Sequence, residues 1–241
     1  MISSRRDGDV SVVTLDRPER RNAVDAEACD AIRAAVEGAV ASGARVLVLA
    51  GSRGHFCAGA DLTGVEDEHF RAAIRGCLDG LRDAPICTIA AVAGAALGAG
   101  TQLAVACDLR VATPDARFGI PAAKLGLMVD HLTVQHLTEL AGAGPARAML
   151  LAAEQIDGER AYASGLVNRI GTFDDAFAWA KEIARLAPLT VAGHKLALNR
   201  LGRALDDPAV TAAIDHAWSS DDVREGMAAF KAKRPAQFRG I

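Results

Sequence analysis

Aromatic residues make up only 4% of the 241-residue chain, so its core cannot rest on packed rings. Val, Leu, Ile and closely approached small residues must supply it instead. A basic excess is also missing. The formal net charge is -3, which excludes a general nucleic-acid or membrane-surface binder. The five cysteines (Cys29, Cys57, Cys77, Cys87, Cys107) form no C-x-x-C pair, and an odd number cannot close a complete intrachain set, so a reducing, cytoplasmic setting is expected. No apolar stretch precedes a small-residue cleavage site near Met1, so no secretory signal is expected. The sequence has no G-x-x-x-x-G-K-[S/T], no G-x-S-x-G and no histidine pair at i, i+4, which argues against a nucleotide-phosphate loop, a serine nucleophile elbow and a helical zinc site.

What is present is apolar: 51% of residues are hydrophobic, enough to bury a sizeable core. Ala84 to Cys107 carries no charge and is long enough for a bilayer, yet Pro85, Gly94, Gly98, Gly100, Thr101 and Gln102 interrupt it. It divides into a buried strand, a glycine turn and a helix rather than a membrane span. The chain opens with a strand at Val10–Leu15, then a helix from about Ala26 to Ser42 capped by Asp25, then a strand at Arg45–Ala50. A helix from about Glu66 to Arg82, a strand at Ile86–Val92, a helix from about Ala99 to Ala106 and a strand at Leu109–Ala112 follow. Apolar strands alternating with helices mark an α/β chain with both sheet faces covered. Beyond Ile170 only helices are expected: about Asp174 to Ala187, Thr190 to Leu205, Pro208 to Trp218 and Asp221 to Lys233. The expected division is a core of residues 1–187 and a helical subdomain of residues 188–241.

Two strands lead into loops of small residues, Gly54-His-Phe-Cys-Ala-Gly-Ala-Asp-Leu62 and Gly94-Ala-Ala-Leu-Gly-Ala-Gly-Thr-Gln-Leu103. Small side chains let a ligand approach the backbone, and unpaired N–H groups at a helix start favour a developing negative charge. Such turns also serve simply to pack strands on helices. Gly98-Ala-Gly100 begins a dinucleotide fingerprint, but Leu103 stands where its third glycine is required.

His55-Phe-Cys-Ala-Gly-Ala-Asp-Leu62, Ala91-Val-Ala-Gly-Ala-Ala-Leu-Gly-Ala-Gly100, Cys107-Asp-Leu-Arg-Val-Ala112 and Ala116-Arg-Phe-Gly-Ile-Pro121 occur in this order. With Asp16-Arg-Pro-Glu-Arg-Arg-Asn-Ala23 before and Ala161-Tyr-Ala-Ser-Gly-Leu-Val-Asn168 after, the pattern resembles the enoyl-CoA hydratase/isomerase (crotonase) family over almost the whole chain. The resemblance implies a crotonase (ClpP-like) spiral of repeated strand-strand-helix units and a helical C-terminal trimerisation region, as a homotrimer or dimer of trimers. It implies an acyl-CoA ligand and no resident cofactor. It places an oxyanion hole on the backbone N–H groups of Ala58 and Ala99, with Gly59, Ala60 and Asp61 lining the CoA site. Arg17, Arg20, Arg21, Lys231 and Lys233 are candidates to meet CoA phosphates.

Active hydratases of the family use two glutamates to move protons, and the matching positions here hold Gln102 and Ala122. An amide can hold a water but cannot take its proton near neutral pH, and a methyl group can do neither. Asp130 falls where some relatives look to carry a working aspartate; it either shuttles a proton or caps a helix starting near His131. Cys57 reads as a small buried filler rather than a nucleophile. Ala122, Ala123, Leu125, Leu127, Val129 and Leu132 suggest an apolar tail site. Two readings stay open: an acyl-CoA-binding protein without hydratase activity, resembling mycobacterial members that hand acyl-CoA to lipid-synthesis enzymes, or an enoyl-CoA isomerase relying on Asp130.

Overall fold

The computed structural model describes residues 1–61, 63, 68–200, 209, 212, 216 and 219–241. The main sheet has six strands in the order β1 (Ile2–Asp7), β2 (Val10–Leu15), β3 (Val46–Gly51), β4 (Cys87–Val92), β6 (Leu109–Ala112) and β9 (Arg169–Ile170). Within it only the β1–β2 pair is antiparallel. A second sheet joins β5 (Ala95–Leu97), β7 (Arg117–Gly119) and β8 (Gln155–Asp157). The charge-free run thus becomes β4, β5 and helix α3 (Ala99–Ala106), and no described helix is long and apolar enough to cross a membrane.

Alternation along the strands divides the core in two. Val13, Leu15, Leu47, Leu49 and Ala90 face α1 (Ala26–Ala41), α2 (Glu68–Asp83) and α3, while Val10, Val12, Val46, Val48, Ile89 and Val111 face Ala176, Ala180 and Ala184. The first two of those alanines lie on α7 (Phe173–Ile183). Both faces being covered explains why the strands read as unbroken apolar runs. Asp25 caps α1 by accepting a hydrogen bond from Ala28 N at 2.9 Å. Helices α4 (His131–Ala141), α5 (Ala143–Leu151) and α6 (Gly158–Ala163) follow the second sheet's β7 and flank β8.

Two basic side chains sit inside. Arg110 is fully buried and donates to the carbonyls of Leu166 (2.5 Å), Cys107 (2.7 Å), Ala104 and Asp108 (both 3.2 Å). Burial lowers its pKa to about 10, still charged at neutral pH. Lys195, on α8 (Pro188–Leu198), reaches Asp108 at 2.8 Å and the carbonyls of Leu81 and Ile86 at 3.0 Å. The final helix, α9 (Asp221–Ala232), holds the terminal segment through Asp222, which accepts from Arg239 N and Gly240 N. Arg45 ties that segment to the core by donating to Phe238 O at 2.6 Å. The helix expected over 208–218 lies largely outside the described residues, as do the end of the one expected to reach Leu205, the start near Glu66, and the Lys231 side chain.

Candidate functional site

The site begins with the chain leaving β3. Asn22, buried and left-handed at φ 58, donates through Nδ2 to Ser52 O (3.0 Å) and His55 O (2.6 Å), fixing the turn. Phe56 N then donates to Ala93 O and Cys57 N to Ala95 O, both at 2.8 Å, so this loop runs beside β5. Gly100 makes the approach possible: a Cβ there would stand 2.1 Å from Cys57 O. Cys57 itself is a fully buried filler, its thiol pushed up to about 12 by burial and donating weakly to Gly59 O.

The loop's amides settle which donors remain. Ala58 N donates to Arg21 O at 3.0 Å, which corrects the expectation that this N–H faces a ligand. Gly59, at φ 124, then reverses the chain's hydrogen-bonding direction: its carbonyl accepts from Val24 N at 2.9 Å. A trans peptide holds C=O and N–H on opposite sides, so the Ala60 N–H points away from Val24. Ala99 is the first residue of α3, behind Gly98 at φ 53, whose own N–H goes to Gly119 O. Among the described residues, neither the Ala60 nor the Ala99 N–H has an acceptor. The two backbones are adjacent, since a Cβ on Gly98 would lie 3.9 Å from Gly59 Cα. Two unpaired amides, one of them at a helix N-terminus, make a site for an anionic or strongly polarised oxygen.

The residues carrying both amides line a cavity of about 850 Å³. Ala58, Gly59, Ala60, Ala99, Gln102, Ala122 and Asp130 all line it, so the structure brings these sequence-selected residues together. Arg20, Arg21 and Asp61 do not line it. Arg20 and Arg21 are exposed, and Asp61 pairs with Arg17 at 3.1 Å. The Thr63 N–H, and then the Arg17 and Arg20 charges, hold the Asp61 carboxyl below the ordinary aspartate range. Of the suggested tail residues, Ala122, Leu125, Leu127 and Val129 line the cavity, whereas Leu132 faces a second crevice. Phe70 and Ile74 from α2 complete the apolar wall, and Glu68, Arg71 and Arg75 add charge; the sequence reading singled out none of these.

At the inner end lies a hydrogen-bonded trio. Asp130 is the N-cap of α4, its Oδ1 accepting from Thr133 N at 3.0 Å and its Oδ2 from Thr133 Oγ1 at 2.8 Å. Gln102 Nε2 donates to Asp130 Oδ2 (3.2 Å) and Thr133 Oγ1 (3.1 Å). Thr133 was not foreseen, although an aspartate three residues ahead of a threonine at a helix start is the spacing a cap requires. The second crevice, about 840 Å³, holds basic groups that already have partners: Arg82 with Asp79 and Asp83, and Lys195 with Asp108. No cluster of three or more potential metal ligands occurs among the described residues.

Comparison with known proteins agrees with this arrangement. The sequence profile of the enoyl-CoA hydratase/isomerase family matches residues 5–240. A Mycobacterium tuberculosis protein named "probable enoyl-CoA hydratase echA6" is 45% identical over 237 residues, covering 96% of each chain. The enoyl-CoA hydratase EchA1 of Mycobacterium marinum superposes with a TM-score of 0.88 at 32% identity, covering 100% of this chain and 99% of that one. An enoyl-CoA hydratase from Bacillus anthracis gives 0.89 at 27% identity with the same coverage. With a strand–loop–helix core of this topology and a family match over nearly its full length, the chain belongs to the enoyl-CoA hydratase/isomerase family and has the crotonase fold.

Proposed function

We propose that this protein binds fatty acyl-CoA thioesters in lipid metabolism and holds them without hydrating an enoyl-CoA. The observation that carries this reading is the pairing of two amides without an acceptor among the described residues, Ala60 and Ala99, with a cavity whose wall offers Gln102 and Ala122 and no carboxylate at those positions. The thioester carbonyl oxygen sits between the two N–H groups, which polarise it. Polarisation alone does not add water: a base must take a proton from the water and an acid must return one to the α-carbon. Gln102 can do neither. The apolar wall of Phe70, Ile74, Leu125, Leu127 and Val129 suits an acyl chain.

The competing reading, an enoyl-CoA isomerase, is favoured by one observation: Asp130 lines the same cavity as Ala99. Against it, three donors already converge on that carboxylate, and it serves as a helix cap. The test pairs turnover with binding. Crotonyl-CoA should keep its enoyl absorbance in the presence of the protein, while long-chain acyl-CoA should raise the melting temperature saturably, scaling as RT ln(1 + [L]/Kd). Rapid loss of the absorbance, or an isomerase activity abolished in Asp130→Asn with binding intact, would overturn the carrier reading. Association of copies through residues 188–241 into a trimer or a dimer of trimers, and transfer of the ligand to a lipid-synthesis enzyme, belong to the same proposal.

A further inference from the structure

Among the described residues, four with charged side chains line the cavity: Glu68, Arg71 and Arg75 on α2, and Asp130 at the start of α4. Three of them have a local account. Asp130 receives the hydrogen bonds of Gln102 and Thr133. Arg75 donates to Asp79 Oδ2 at 3.0 Å, an i, i+4 pair of the kind a helix surface favours. Glu68 sits in the first turn of α2, where the helix dipole favours a negative charge. Arg71 has no such account. It is exposed, and no hydrogen bond or ion pair holds it among the described residues. Arg75, one turn on, carries the same charge and opposes it. Glu68, three residues before, closes no ion pair with it.

Its surroundings define what it can meet. Phe70 precedes it and Ile74, three residues on, shares its face of α2; both belong to the apolar wall of the cavity. An acyl chain lying along that wall therefore passes beside a guanidinium. A plain hydrocarbon there strips water from the cation and returns no hydrogen bond, which costs free energy. A carboxylate on the chain returns two, because the planar guanidinium offers only donors and its fork matches the two carboxylate oxygens. A chain ending in an ammonium group would instead be repelled by Arg71 and Arg75 alike. Resting on the acyl-CoA reading above, we infer that Arg71 makes this site prefer acyl thioesters that carry a carboxylate at the far end of the acyl chain over uncharged acyl thioesters of the same length.

The experiment measures dissociation constants by calorimetry for two matched pairs, adipoyl-CoA against hexanoyl-CoA and sebacoyl-CoA against decanoyl-CoA, with wild type, Arg71→Gln and Arg71→Lys. Both ligands of a pair carry the same CoA, so contacts of its phosphates cancel in the ratio. In at least one pair, wild type should favour the carboxylated ligand by about 3- to 10-fold, between the worth of an exposed ion pair and that of a charge-assisted hydrogen bond. The preference should shrink as NaCl rises from about 0.05 M to about 0.5 M. In Arg71→Gln the ratio should fall to near one, and Arg71→Lys, which keeps the charge without the fork, should retain part of it. Arg71 is exposed, so both variants should fold. A wild-type ratio near or below one in both pairs, or a preference unaltered in Arg71→Gln, overturns the inference while leaving acyl-CoA binding standing. Absence of saturable binding for all four thioesters overturns the inference together with the reading beneath it.

Discussion

Gln102→Glu is the most informative perturbation of the trio because it changes one atom and little volume. The atom that now donates to Asp130 Oδ2 from 3.2 Å becomes a carboxylate oxygen. Two unit charges at that separation repel by about 5 kcal/mol at an effective dielectric near 20. The folded variant escapes most of this by keeping one proton on the pair, and the introduced side chain, in its protonated form, then donates to Asp130 much as the amide does. The unfolded chain has no such neighbour and releases that proton at the ordinary glutamate value of about 4.3. The folded pair therefore binds its proton more tightly than the unfolded chain. A raised folded-state pKa gives stability that is fully present below the unfolded value and lost as pH rises through the folded one. Gln102→Glu should thus melt close to wild type near pH 4.5 and fall behind by about 2–4 kcal/mol near pH 8, roughly 5–15 °C for a chain of this size. Taking the difference from wild type at each pH cancels the titration of every other group. A melting-temperature gap that stays constant from pH 4.5 to 8 would refute the Gln102–Asp130 contact, since a carboxylate turned to water would feel no such neighbour.

Two further outcomes test the frame around the site. Lys195→Met should cost about 2–4 kcal/mol, because it leaves the Asp108 carboxylate, itself partly exposed, without its cation and the carbonyls of Leu81 and Ile86 without a donor; urea denaturation should show a lower midpoint at unchanged slope. Glu225 is held down to about 2, first by the two guanidinium hydrogen bonds of Arg234 and then by the Gln237 N–H. A depressed carboxylate stabilises above its unfolded pKa and loses that contribution as pH falls through the folded value. Hydrogen exchange of residues 234–241, corrected for intrinsic rates, should therefore be slower in wild type than in Glu225→Gln at pH 6, with the difference closing between pH 4.5 and 2.5.

Much of the frame was legible in the residues because the interior repeats simple patterns. β2 and α3 fall where periodicity and small-residue turns put them, and Asp25 caps α1 as its position demands. Other features carry no local signal. β1 is an edge strand, Ile2–Asp7, in which exposed polar and charged residues outnumber the single apolar one, so alternation is absent. β5, β7 and β8 are three residues each, too short for any period to register. Arg110 and Lys195 would be assigned to the surface by type, yet both are buried against carbonyl groups, some of them more than 50 residues away in sequence. No pattern in the chain announces which carbonyls will gather around a cation.

The candidate site divides along the same line. Its side chains could be selected by type: Gln102 and Ala122 are informative for what they cannot do, and Asp130 for its place before a helix. The donor amides could not be selected so surely, because a backbone N–H has no residue type. Ala58 and Ala60 are chemically identical, stand two positions apart and line one cavity, yet only the first is bonded to Arg21 O. What separates them is the left-handed turn at Gly59, which aims its carbonyl at Val24 and so swings the Ala60 N–H the other way. A glycine in the sequence states that such a turn is permitted. Only the surrounding bonds, Ala58 to Arg21 on one side and Asp61 to Val24 on the other, state that it occurs and which amide it leaves for a ligand.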